Sequence, residues 1–216
     1  MTLSFPYSPE AFADILNLEE IVWDVARFDE LSAVASGHDL QAEMAVPKWK
    51  GTGAMRDGLP RDIAKRIESR VRQLQGSQYA FMMYDPRSKY PARDPKGTTL
   101  GAANVQIAAL GVNGKSISLK GLPNGYVLSE GDKGQISYGT TRNYFFEIGE
   151  QVAASAGGVT PVFDVFPHVP ASIAINAVVN LRKPACKMKI VPGGFNPGRS
   201  RGQFTNGMSI EFMETI

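Results

Sequence analysis

Ala109-Leu-Gly-Val-Asn-Gly114-Lys115-Ser116-Ile117-Ser-Leu119-Lys-Gly-Leu-Pro123 decides between two folds. Ala109 to Ser116 is a relaxed phosphate-binding loop, with Ala where the stricter motif has Gly. Such a loop works only between a strand and a helix, because the helix N-terminus supplies N–H groups to the phosphate. Here Ile117 and Leu119 alternate as in a strand, and the pattern then breaks at Pro123. Asn113-Gly114 is instead the strongest hairpin signal in the chain, since a tight hairpin turn needs residues that tolerate positive φ. The stretch reads as a β-hairpin.

Outward from it, residues from about 98 to 170 form a string of short candidate strands separated by Asn-Gly, Gly-Asp and Gly-Gly turns. Tyr144–Ile148 and Val162–Phe166 are two of them, and the spacing predicts a small barrel or sandwich. Before it, the stretch from Asp85-Pro86-Arg87 to Gly97 is rich in Pro and charge and reads as a domain boundary. Further upstream, Ile21, Trp23 and Val25 alternate, as do Leu40, Ala42, Met44 and Val46, which are expected to face inward. Ser36-Gly37-His38-Asp39 supplies a turn between these two strands. Leu59 to Gly76 carries Ile63, Ile67, Val71 and Leu74 at helical spacing and predicts one long amphipathic helix over 59–75. Pro60 opens it, and Gly76 provides the left-handed stop. Residues 1–20 read as an extended or loosely helical arm. Downstream, Ala174–Leu181, Lys187–Val191 and Met208–Met213 have strand character, with 192–198 as a loop.

The 216 residues carry 23 Lys+Arg against 21 Asp+Glu, a net +2. A dedicated nucleic-acid or membrane-surface binder is usually more basic. The single Cys186 excludes an intrachain disulfide, and His38 and His168 alone leave little for a zinc site. The N-terminus lacks the basic and apolar regions of a signal peptide, and no apolar run is long enough to span a membrane.

Catalytic constellations are sparse. Gln135-Ile-Ser137-Tyr-Gly139 lacks the first Gly of a hydrolase elbow, and the two His are the only bases for a triad. Cys186 reads as a packing residue. Glu19-Glu20 and Asp29-Glu30 are adjacent, which in a strand sends the side chains to opposite faces. Trp23 and Trp49 read as core or rim residues. No catalytic, cofactor-binding or metal-ligating residue is assigned. The pattern suits an assembly component, with residues 1–20 and the Gly/Pro/Arg loop 192–203 as contact elements.

The order of features resembles the distal tail proteins of long-tailed bacteriophages and related tail-like particles. The resemblance rests on the Trp23/Trp49 strand pair, the helix ending Leu74-Gln-Gly76 and Tyr84-Asp-Pro-Arg87. It continues through Asn113-Gly114, Leu128-Ser-Glu-Gly131-Asp132 and Ser155-Ala-Gly157-Gly to Val162-Phe-Asp-Val-Phe-Pro167. It spans roughly residues 22–192. It implies a mainly β fold: a tail-tube-like β-sandwich or barrel from 1–97 and 171–216 with helix 59–75, interrupted by a small OB-like β-barrel at 98–170. It implies a structural, non-enzymatic virion protein made in the host cytoplasm. Such a protein forms a homo-hexameric ring in the tail tip or baseplate region, joining the tail tube protein to the hub or tip protein. The tape measure protein is a further possible neighbour, DNA is only transiting cargo, and no membrane is involved. On that reading Phe5, Tyr7, Arg66, Arg70, Arg72, Phe195, Arg199 and Arg201 are the intersubunit contact candidates. Rival readings are a carbohydrate- or receptor-binding β-module, with Trp49, Tyr126 and Tyr138 as surface aromatics, and a cell-wall-degrading hydrolase.

Overall fold

The structure, a computed structural model, describes residues 4–33 and 37–215. It is mainly β, with one α-helix among the described residues. The chain divides into two units, the first built from residues 1–82 and 187–215 and the second from residues 83–186.

The first unit begins with strands β1 (Leu18–Ala33) and β2 (Asp39–Met55), the short β3 (Leu59–Pro60), helix α1 (Arg61–Gln73) and β4 (Phe81–Tyr84). Between β4 and the last strands run β5 (Gln106–Leu110), β6 (Ser116–Lys120), β7 (Val127–Leu128) and β8 (Lys133–Tyr138). These are followed by β9 (Arg142–Ile148), β10 (Val152–Ala153), β11 (Phe163–Phe166) and β12 (Val179–Asn180). The chain closes with β13 (Ala185–Asn196), β14 (Arg199–Arg201), β15 (Phe204–Asn206) and β16 (Ser209–Glu214). The main sheet of the first unit has the order β1-β2-β16-β13-β4, and β14-β15-β3 form a second, small sheet.

An aromatic series holds the first unit together. Tyr7 stacks on Phe12 (ring centroids 5.8 Å apart), Phe12 lies against Phe81 (4.4 Å), and Phe81 meets Phe212 edge-on (6.1 Å). Phe212 in turn contacts Trp23 (5.7 Å), which contacts Trp49 (6.5 Å). Trp23 and Phe212 reach each other across Gly51, which pairs with both in register. A Cβ on Gly51 would sit 2.4 Å from the Phe212 ring. Glycine is thus required by close approach. The N-terminal segment is part of this core rather than a free arm: Tyr7, Phe12 and Leu16 are buried, and Tyr7 bridges to Phe81 with Tyr7 N donating to Ala80 O. The aromatic residues have more to gain by burial than by extension into water.

Helix α1 is shorter than expected, 13 residues, with Ala64, Ile67 and Val71 buried. Leu59-Pro60 is strand, pairing with β15, because Pro60 keeps extended dihedrals. Gln75 and Gly76 both take positive φ and stop the helix. The expected loop 192–198 is largely strand: β13 continues to Asn196 through a register break after Ile190, and β14-β15 form a hairpin beyond it.

The second unit is a nearly closed barrel-like sheet of order β12-β8-β9-β11-β6-β5. An isolated Gln106↔Val178 bridge, with Val179 N donating to Val105 O, joins its two edges. Its core includes Ile107, Ile117, Leu119, Leu128, Ile136, Phe146, Ile148 and Phe163. Asn113-Gly114 is the β5-β6 turn, with Gly114 at φ +64°. The unit takes in residues 83–97 and 171–186, which the sequence reading gave to the first domain. Ile173, Val179 and Leu181 are in its core, and Ala92 N donates to Asp132. Of Ala174–Leu181, only Val179–Asn180 is strand.

Two outcomes check the first-unit core. Phe12→Ala is expected to cost about 3–5 kcal/mol, as a large buried ring is lost; a wild-type melting temperature would show that the N-terminal segment is dispensable. Gly51→Val is expected to cost at least about 1–3 kcal/mol by overpacking, read in the same thermal melts, and a neutral result would remove the close approach as a constraint.

Candidate functional site

The long β1-β2 hairpin extends beyond the sheet. Strand β16 pairs with β2 only from Lys50 to Ala54, so among the described residues nothing pairs with the hairpin beyond them except its own two strands. Two register shifts fall between Ala26 and Asp29, where β2 takes in extra residues around Met44 and Val46. From Arg27 to Ala33 and from Asp39 to Val46 every residue is exposed. This projecting arm is roughly 20 Å long at the usual rise per residue. Leu31, Leu40, Met44 and Val46 are each more than 60% exposed. The inward placement expected for Leu40, Ala42, Met44 and Val46 is therefore corrected. Their alternation is real, but among the described residues there is no layer for them to face. Ser36 of the expected turn lies outside the described residues, whereas Gly37 has φ +79°.

The arm has two chemically different faces. Ala33↔Asp39, Leu31↔Gln41 and Asp29↔Glu43 pair in register on one, which carries three carboxylates; Ser32↔Leu40 and Glu30↔Ala42 lie on the other. Arg27 at the base pairs with Asp29 at 3.6 Å, and Gln41 Nε2 donates to Asp29.

A second feature of the same unit is a groove of about 590 Å³ lined by Pro60, Arg61, Asp62, Lys65, Gln203 and Phe204. It is positioned by the β14-β15-β3 sheet. Thr205 is buried and its hydroxyl lies 3.0 Å from that of Ser200, so the alternate residues Arg201 and Phe204, paired in register with each other, face out. Phe204 also pairs with Pro60 and is 53% exposed.

The contact candidates fall in separate places. Tyr7 is only 2% exposed and belongs to the core, which corrects its assignment as a contact. Phe5 is half-buried and stacks on Tyr79 at 4.2 Å. Arg70 lies over the Tyr7 ring, 5.5 Å from its centroid, and Arg72 pairs with Glu68 at 2.6 Å; both have a local role. Arg66 is exposed on α1, Phe195 is half-buried in β13, and Arg199 and Arg201 are exposed on β14. The arm was missed because period-two alternation reports a two-faced strand without saying what covers it.

In the second unit a cavity of about 300 Å³ is lined by residues including Arg93, Asp94, Asn124, Tyr126 and Gln151. Its acid is committed: Asp94 accepts from Thr98 N (2.9 Å) and Leu100 N (2.8 Å). Burial pushes this carboxyl up, but the Leu100, Thr99 and Thr98 amides outweigh burial and hold it below its ordinary 3.8. Burial, then the charges of Asp94 and Asp132, push the Tyr126 phenol well up, so it stays protonated. Burial also raises Asp132, against the Ser129 and Ala92 amides it accepts. These groups fasten loops. Tyr126 and Trp49 are buried, which removes them as sugar platforms. Lys115-Ser116 leads into β6, a strand, so the phosphate-loop context does not form. His38 and His168 are both exposed, and Ser137 is exposed on β8. Among the described residues no group of three His, Cys, Asp or Glu could hold a metal ion. Among the described residues no helix is long and apolar enough to cross a membrane.

Compared with protein-family models and with curated proteins, the chain matches none.

Asp94→Ala is expected to cost about 1–3 kcal/mol at neutral pH, because two turn amides lose their acceptor. A depressed carboxyl contributes stability above its unfolded value and loses it as pH falls through the folded one. The gap between wild type and variant should therefore narrow below pH 3.8. A gap that is constant with pH in denaturant titrations would refute the charge-based account.

Proposed function

We propose that this chain is a structural subunit of a long phage tail. Copies close into a ring, six by analogy with distal tail proteins, at the end of the tail tube. The ring joins the tube to the hub or tip and leaves a passage for DNA, acting by holding geometry rather than by turning over a substrate.

The observation that carries this reading is the projecting β1-β2 arm. A two-stranded ribbon is marginal in water without a covering layer. Fully burying each of Leu31, Leu40, Met44 and Val46 would contribute on the order of 1.5–3 kcal/mol. Side chains this exposed, on an element this long, suit a surface that is completed by assembly. A contact in which the arm of one copy meets a different surface of the next is heterologous, and such contacts close into a ring where the rotation between copies closes. The barrel-like unit inserted between β4 and β13 supports the same reading, since the resemblance implies a tube-like sheet domain interrupted by a small barrel.

The purified chain is expected to form rings by electron microscopy and multi-angle light scattering. Leu31→Asp should leave a folded monomer with an unchanged melting temperature, as the position is exposed. A wild-type chain that remains monomeric up to its solubility limit would overturn the proposal.

A further inference from the structure

The arm and the groove are opposites in charge and alike in shape of composition. Over residues 27–33 and 39–46 the arm carries Asp29, Glu30, Asp39 and Glu43 against one cation, Arg27 at its base. Its Asp29/Glu43 and Asp39 positions share one face with Leu31. The groove is lined by Arg61 and Lys65 beside the apolar pair Pro60 and Phe204, with Asp62 the one carboxylate in its lining, and Arg199 and Arg201 are exposed on β14, where Arg201 pairs with Phe204. None of those four cations has an ion pair among the described residues. The whole chain has a net charge of only +2, so the two features are a separation of charge within one unit rather than a general bias.

Within one copy Arg27 and Gln41 hold Asp29, while Asp39 and Glu43 have no ion pair among the described residues and the groove cations are exposed. We infer that the acidic face of the arm of one copy docks on the Arg201–Phe204–Pro60 row and the adjoining Arg61/Lys65 turn of the next copy. Asp39 and Glu43 meet the cations, while Leu31 covers Phe204. The match is heterologous, each copy offering one arm and one groove, so it propagates around a ring. Complementary charge would steer the encounter and fix which surface the arm accepts, and like charges brought together would reject the wrong register. The aliphatic face with Leu40 is left for a second contact.

This inference rests on the reading of the chain as a self-assembling ring subunit, and the two can fail separately. In the full chain, a groove-reversed variant carries Lys65→Glu and Arg201→Glu, and an arm-reversed variant carries Asp39→Lys and Glu43→Lys. All four positions are exposed, so circular dichroism melts should match wild type. Light scattering across a dilution series is expected to show each variant alone assembling at concentrations at least about tenfold higher. Mixed one to one, the variants should assemble at the wild-type concentration, because each then presents the charge the other needs at both contacts. Assembly of either variant at the wild-type concentration overturns this docking while leaving the ring reading intact. So does a mixture that stays as weak as its components. A monomeric wild type overturns both.

Discussion

The close approach at Gly51 is the constraint on which the first unit depends. Trp23 on β1 and Phe212 on β16 occupy register positions on either side of it, and a Cβ at Gly51 would run into the Phe212 ring. That contact links Trp49, at the base of the arm, to Phe81 and through it to Phe12 and Tyr7. Aromatic pairs add about 0.5–1.5 kcal/mol each beyond the area they bury. The N-terminal segment is therefore fixed by the same series of rings that anchors the arm. A rigid base gives an otherwise uncovered ribbon a defined direction.

The second unit solves a different problem. Its strands are short, and a short open sheet would leave two unpaired edges. Gln106↔Val178 and the neighbouring amide contacts draw those edges together. Two buried carboxylates then hold the connections: Asp94 the turn from Thr98 to Leu100, and Asp132 the segment at Ala92 as well as its own turn at Ser129. Burying a carboxylate is unfavourable unless hydrogen bonds replace its water, and here backbone N–H groups do so. Cavity-lining acids engaged in this way are fastenings rather than free bases.

What could be read from the sequence was whatever local chemistry dictates. Asn113-Gly114 fixed its hairpin because few residues accept positive φ, and Ile67, Val71 and Leu74 marked the buried side of α1 by their spacing. What could not be read depended on distant partners. Tyr7 and Phe12 looked like a loose arm because their neighbour Phe81 lies some 70 residues on. Residues 192–196 looked like a loop because Pro and Gly punctuate them, yet after a register break Phe195 and Asn196 pair with β16 again. Leu40, Ala42 and Met44 were misplaced for the opposite reason: their pattern is that of a half-buried strand, while no described residue covers them. Of the contact candidates, Arg201 and Arg199 fell beside a groove whose other residues, Arg61, Lys65 and Phe204, come from separate stretches of sequence.

The uncovered arm raises the question of how an unassembled chain avoids sticking indiscriminately. A long, flat, apolar edge strand invites pairing with any other edge. Here the ribbon carries bulges near its middle, which twist it and interrupt a regular ladder, and carboxylates along one face. Two like arms brought together would oppose Asp29, Asp39 and Glu43 with themselves, so arm-to-arm pairing is disfavoured by charge. Pairing between the arm and a basic surface has no such penalty. The same carboxylates that keep free chains apart would thus select the one kind of contact that can close a ring: a contact between unlike surfaces.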